Sequence, residues 1–126
     1  MENQNKIEFI ETLRKRTKEF VVRSTKLYRA LPKTGEAKIF GNQFLRAASS
    51  FAANYRAACR ARSQREFFAK MSLVVEEIDE TLFWLEIITE TGIFSLQKTK
   101  PLMDEANELL AIMSSARSHI YKSKSN

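Results

Sequence analysis

An all-α fold, an antiparallel up-down-up-down four-helix bundle, is what this sequence predicts, and three observations predict it. Apolar residues recur at spacings of three and four along four separate segments. Turn signals fall between those segments at Pro32–Gly35, Ser63 and Gly92. Only three glycines and two prolines occur in 126 residues, too few for the many turns of a β-rich domain. Short connections between long helices make antiparallel neighbours the economical arrangement. One domain, residues 1–126, is expected, large enough to bury a core without disulfides or metals.

The first helix is predicted over about 7–31. Ile10, Leu13, Thr17, Phe20, Ser24, Leu27 and Leu31 form the narrow seam of a helix lying nearly parallel or antiparallel to its neighbours, widened by Val21 and Tyr28. Leu31-Pro32 then ends it, because proline disfavours helical geometry in the residue before it. Helix two is predicted over about 37–62. Its apolar arc of Phe40, Phe44, Leu45, Ala47, Ala48, Phe51, Ala52, Tyr55 and Cys59 is wider than one partner requires, so it should touch more than one neighbour. The other side carries Ser49, Ser50, Ala53, Ala57 and Ala61 among Gln43, Arg46, Asn54, Arg56 and Arg60. Small residues in line permit another helix to approach closely.

Ser63-Gln64-Arg65-Glu66 has the capping-box pattern that opens a third helix over about 64–91. Phe67, Met71, Val74, Val75, Ile78, Leu82 and Leu85 make its core face. Opposite lie Leu73, Phe83, Trp84 and Ile87 beside Glu76 and Glu80, a mixture that resembles an assembly surface. Thr91-Gly92 closes that helix. Pro101 fits a first turn, which places the fourth helix at about 99–121, with Leu102, Ala106, Leu109, Met113, Ala116 and Ile120 as its seam and a frayed polar tail after it.

Charge is distributed unevenly over a formal net +6. Residues 1–33 hold nine Lys/Arg and four acids, residues 38–70 hold seven and Glu66 alone, and residues 71–90 hold six acids and no base. Two accounts are open: complementary packing of an acidic helix among basic ones, or a basic surface for nucleic acid or another polyanion. Arg56, Arg60, Arg62 and Arg65 gather at the corner between helices two and three, where they could hold phosphates with Tyr55 available for stacking. Arg46 lies among close-packing residues and needs a carboxylate, with Glu76 or Glu80 within reach on helix three. Trp84 reads as an interface anchor.

Catalysis lacks its parts. His119 is the only histidine, and Ala116 stands where a Glu-x-x-His pair would need its glutamate. Cys59 allows no intrachain disulfide and falls within the apolar arc, so a small buried hydrophobe in a reducing compartment is expected. Phosphate-binding glycine loops, nucleophile elbows and CxxC pairs are absent, and the N-terminus lacks a signal peptide's apolar segment. No enzyme, metal or cofactor is expected, no membrane span, and a cytoplasmic location.

Gln43-x-Leu45-Arg46-x-Ala48-x-Ser50, Ala53-Asn54-Tyr55-Arg56-x-Ala58, Arg60-Ala61-x-Ser63 with Phe67 or Phe68 and Lys70, and Glu76-Glu77-x-Asp79-Glu80-Thr81-x-x-Trp84-Leu85-Glu86 together resemble the signature of the 23S rRNA-intervening sequence proteins. The resemblance implies a four-helix bundle assembled into a ring-like homopentamer, with no established enzymatic activity. A similar bundle is the accessory protein of diversity-generating retroelements, which associates with a reverse transcriptase and nucleic acid. The chain departs from the pattern at Cys59 and at Ala57, where a glutamate is usual. The expectation is therefore a non-catalytic homo-oligomer that binds RNA or other nucleic acid at Arg56, Arg60, Arg62 and Arg65, with Arg46, Ser50, Ala53, Ala57, Glu76, Glu80 and Trp84 in the oligomer interface or its ion pairs. The alternative is an interaction scaffold that does not touch nucleic acid. A nucleic-acid-processing protein is a further partner the resemblance implies.

Overall fold

The computed structural model describes residues 2–125, with side chains described for residues 4–118. Four helices follow one another: α1 (Glu2–Ala30), α2 (Gly35–Cys59), α3 (Gln64–Glu90) and α4 (Leu96–Ser125). Among the described residues there is no strand. Each helix packs on the next, α4 returns to α1, and α2 against α3 is the most extensive interface while α1 against α4 is the sparsest. The result is the up-down-up-down bundle that the periodicity predicts.

The seam of α1 is buried at Leu13, Thr17, Phe20, Ser24, Leu27 and Leu31, with Ile10 half-buried. In α2, Ala37, Gly41, Phe44, Ala47, Ala48, Phe51, Tyr55 and Ala58 are buried. This arc serves two neighbours, as its width requires: Phe51 meets Phe20 of α1 edge-on at 6.0 Å, and Gly41 lies against Leu31 and Tyr28. A Cβ at Gly41 would come within 3.0 Å of Leu31 Cδ1. Met71, Val74, Ile78, Leu82, Leu85 and Ile88 of α3 join Leu102, Ala106, Leu109 and Met113 of α4 in the same core cluster.

Helix limits differ from the sequence expectation where local hydrogen bonding decides them. α1 begins at Glu2, five residues before Ile7. α2 stops at Cys59 rather than Arg62, because Arg60 N–H and Ala61 N–H reach back three residues to Ala57 O and Ala58 O. That tightening frees Ser63 to take extended geometry, and its Oγ accepts from Glu66 N–H at 3.0 Å to cap α3. α3 ends in a Schellman motif: Gly92 has φ +79°, Gly92 N–H bonds Thr89 O, and Ile93 N–H bonds Ile88 O. Ile93 and Phe94 thereby turn back onto the core.

α4 starts at Leu96, earlier than position 99, since Ser95 O already accepts from Lys98 N–H and Thr99 N–H. Pro101 consequently sits inside the helix, not in its first turn. The helix also continues to Ser125, where the sequence reading ends it near 121. Ile120 and His119 lie outside the described side chains.

Four polar side chains are buried in the core. Thr17 bonds Arg14 O, Thr81 bonds Glu77 O, and Thr99 exchanges a hydrogen bond with Thr89 at 2.7 Å. Ser24 Oγ has no hydrogen-bond partner among the described residues. An unpaired buried hydroxyl costs about 1–3 kcal/mol, and alanine is the better helix former. Ser24→Ala is therefore expected to stabilise the protein by about 1 kcal/mol in urea denaturation at fixed protein concentration, and a lower midpoint would show that Ser24 has a partner in solution.

Candidate functional site

The last turn of α2, the loop 60–63 and the first turn of α3 bring Arg56, Arg60, Arg62 and Arg65 to one end of the bundle. All four are exposed. Arg62 Nε lies 3.5 Å from Glu66 Oε2, and Arg62 is otherwise open to solvent. The side chains of Arg56, Arg60 and Arg65 have no ion pair or hydrogen-bond partner among the described residues.

Two arginines elsewhere, Arg16 and Arg46, are held between helices. Arg16 of α1 makes a two-pronged contact with Glu105 of α4, Nε to Oε2 at 3.1 Å and Nη2 to Oε1 at 2.8 Å, and lies 3.2 Å from Glu108. These bonds push its guanidinium above the ordinary arginine pKa, Glu105 contributing most. Arg46 of α2 reaches α3, where Nη2 bonds Glu80 and Nη1 lies 3.5 Å from Glu77 Oε2. Its pKa is raised chiefly by the bond to Glu80. Glu76, one of the two partners the sequence offers, is exposed, and Glu77 takes that place because it lies one position nearer the α2 side of α3.

Glu80 also accepts from Trp84 Nε1 at 3.2 Å. The indole stacks on Phe40 of α2 at 5.7 Å and meets Phe83 edge-on at 4.9 Å. Trp84 is half-buried, whereas Phe83 beside it is exposed, as are Ile39 of α2 and Leu73 of α3. On the outer face of α2, Ser50 is half-buried and receives Asn54 Nδ2 on its carbonyl and hydroxyl oxygens. Ala53 is exposed and Ala57 half-buried, so this row of small residues is accessible.

Tyr55 does not join the arginines. It is 4% exposed and packs inward, which removes it as a stacking platform for a base. The cause is the helical position: Tyr55 follows Phe44, Ala48 and Phe51 along the buried arc, while Arg56 turns outward. Cys59 is half-buried against the same core.

The fold and these positions place the chain among known proteins. The model of the 23S rRNA-intervening sequence proteins matches residues 12–115. The chain belongs to this family. A crystal structure of a protein with unknown function, from the S23 ribosomal protein family of Bacteroides thetaiotaomicron, superposes with a TM-score of 0.78 at 26% identity, covering 86% of this chain and 97% of that one. No curated protein matches significantly. Both likenesses bear on fold and lineage. Arg46, Glu80 and Trp84, the residues of the interhelical network, lie within the matched segment, as do the corner arginines.

Among the described residues no group of three or more His, Cys, Asp or Glu could hold a metal ion. No helix is long and apolar enough to cross a membrane. The Arg16–Glu105 clasp is the functional-looking contact that sequence reasoning misses. Its only signal is an arginine beside the α1 seam facing Glu105-x-x-Glu108 on a helix expected to be adjacent.

Burial pushes the Tyr55 phenol above its ordinary pKa, with Cys59 adding to the shift. The folded value thus exceeds that of the unfolded chain, so stability from the neutral phenol is complete below the unfolded value of 10.0 and is lost as pH rises through the folded one. Tyr55→Phe should lose no further stability from this group above pH 10, whereas the parent protein should fall more steeply there. Parallel alkaline stability curves for the two would refute that assignment.

Proposed function

We propose that the protein is a non-catalytic homo-oligomeric bundle that binds RNA or other nucleic acid through the α2–α3 corner. One observation carries the binding: three arginines, Arg56, Arg60 and Arg65, are exposed together at one end with no carboxylate partner among the described residues, while Arg16 and Arg46 are each clamped by acids. Neutralising phosphates is the general way such a cluster gains free energy, through release of the counterions around the nucleic acid. Without Tyr55 for stacking, the corner contacts the sugar-phosphate backbone, and sequence plays little part in affinity.

Assembly is supported by the outer face of α2 and α3. Phe83 lies exposed beside the Phe40–Trp84 stack, Ile39 of α2 and Leu73 of α3 are also exposed, and the accessible row of Ser50, Ala53 and Ala57 permits close helix approach. The homopentamer is the assembly implied by the family resemblance. Five copies of a chain with net charge +6 would sum weak single-corner contacts through effective concentration. A nucleic-acid-processing protein is a suitable partner for such a ring in the cytoplasm. If the corner binds no nucleic acid, the exposed aromatic face still favours an interaction scaffold.

Light scattering at micromolar concentration should give a mass several times 14.6 kDa. Phe83→Glu, at a position 49% exposed in the single chain, should leave the helical signal intact and lower that mass. A 14.6 kDa species for the parent protein would remove the oligomer.

For the corner, a labelled RNA hairpin titrated at two salt concentrations should bind tightly only at low salt. Changing Arg56, Arg60 and Arg65 to glutamate should reduce the slope of log K against log salt by roughly two to three, since each lost phosphate contact removes about 0.7–0.9. Affinity indifferent to salt, or to the three substitutions, would leave the scaffold as the function.

A further inference from the structure

At the end of the bundle where α2 turns into α3, α1 and α4 do not close on one another. They leave an open cavity of about 1020 Å³. Its deep wall is Leu13, Tyr55, Ala58 and Met71, all buried, and its sides are built by Ile10, Phe67 and Ile112. Phe9 is 52% exposed at the outer edge. Among the described residues, the charged side chains lining the cavity are Lys6 and Arg62, both cations. Arg62 Nε lies 3.5 Å from Glu66 Oε2, and the Arg62 side chain is 90% exposed.

A chamber of this kind is unfavourable for water, which needs two to four polar partners at each site. Binding cavities in proteins are mostly apolar with a few placed polar groups, and gaps between the helices of bundles are a usual location. An apolar interior with a cationic edge, and no acid among the described lining residues, matches an anionic amphiphile. We propose that the cavity binds a fatty acid, with its aliphatic chain between α1, α3 and α4 and its carboxylate at Lys6 and Arg62.

Each methylene removed from water adds favourable free energy, so the aliphatic chain supplies most of the affinity. The two cations fix which end stays outside. A nucleobase is a poor occupant, because the deep wall offers little to pair its polar edge. The site goes beyond the nucleic-acid reading and does not require it, although Arg62 belongs to both surfaces.

The test is calorimetric titration of the full chain with dodecanoate below its micelle concentration, and with dodecanol as the uncharged probe. Dodecanoate should saturate at one equivalent per chain, with dodecanol at least about tenfold weaker. Lys6→Glu with Arg62→Glu should weaken dodecanoate by about tenfold and leave dodecanol unchanged. Ala116→Phe, which places a ring in the cavity, should abolish both; Ala111→Trp does the same from an exposed lining position if the first variant melts early by circular dichroism. The variant with Arg56, Arg60 and Arg65 changed to glutamate should keep dodecanoate binding, which separates this site from the RNA corner. Lack of saturation, equal affinity for acid and alcohol, or indifference to both filling variants would overturn the proposal. So would dodecanoate binding that vanishes as the chain assembles on concentration, since a second copy would then occupy the cavity.

Discussion

Close approach of α2 to two helices at once is the constraint on which the rest of the bundle depends. Gly41 leaves only van der Waals room to Leu31 and Tyr28 of α1. Ala47 and Ala48 are fully buried between Phe44 and Phe51, themselves fully buried. Removing a large aromatic from water contributes about 1.5–3 kcal/mol, and small neighbours allow the ring to reach its packing distance. A larger residue at Gly41 or Ala48 would separate backbones and forfeit contacts on both sides. Because α2 spends its large residues inward, its outward row is left with Ser50, Ala53 and Ala57.

That commitment makes α2 and α3 the spine and leaves α1 and α4 to close the bundle from outside. One end closes well. Leu31, Ala37, Ile88 and Leu102 are buried there, and the Schellman turn folds Ile93 and Phe94 onto them. Toward the other end the Arg16–Glu105 clasp ties α1 to α4, a part-buried two-pronged contact of the kind that outlasts ordinary surface pairs. Beyond the clasp the two helices part, and the cavity begins.

The helical seams were legible because each depends on one helix's own geometry. Leu13, Thr17, Phe20, Ser24, Leu27 and Leu31 are buried at the spacings their sequence shows, polar members included. Ser63 was legible as a cap because its bond to Glu66 N–H spans three residues. The start of α4 was not, since Pro101 lacks only one donor and Ser95 had already begun the helix. Glu77 was harder to choose than Glu76 because adjacent carboxylates on α3 differ by about 100° in direction, and rotation of α3 against α2 decides between them. The cavity had no sequence signature at all. Its residues are ordinary core types, and its volume comes from the divergence of two helices far apart in the chain.

Helix polarity separates the corner arginines from ordinary solvated charge. Arg56 in the last turn of α2 faces the negative end of a helix dipole, and its position there is mildly stabilising. Arg65 lies in the first turn of α3, at the positive end, where a cation is unfavourable and an acid is preferred. Ser63 and Glu66 already satisfy that end, so Arg65 contributes nothing to capping. No carboxylate among the described residues compensates it. Folding stability therefore accounts for Arg16 and Arg46, accounts weakly for Arg56, and opposes Arg65. The bundle's own contacts account for little of the charge at this corner, whereas the charge along the α2–α3 and α1–α4 interfaces joins helices.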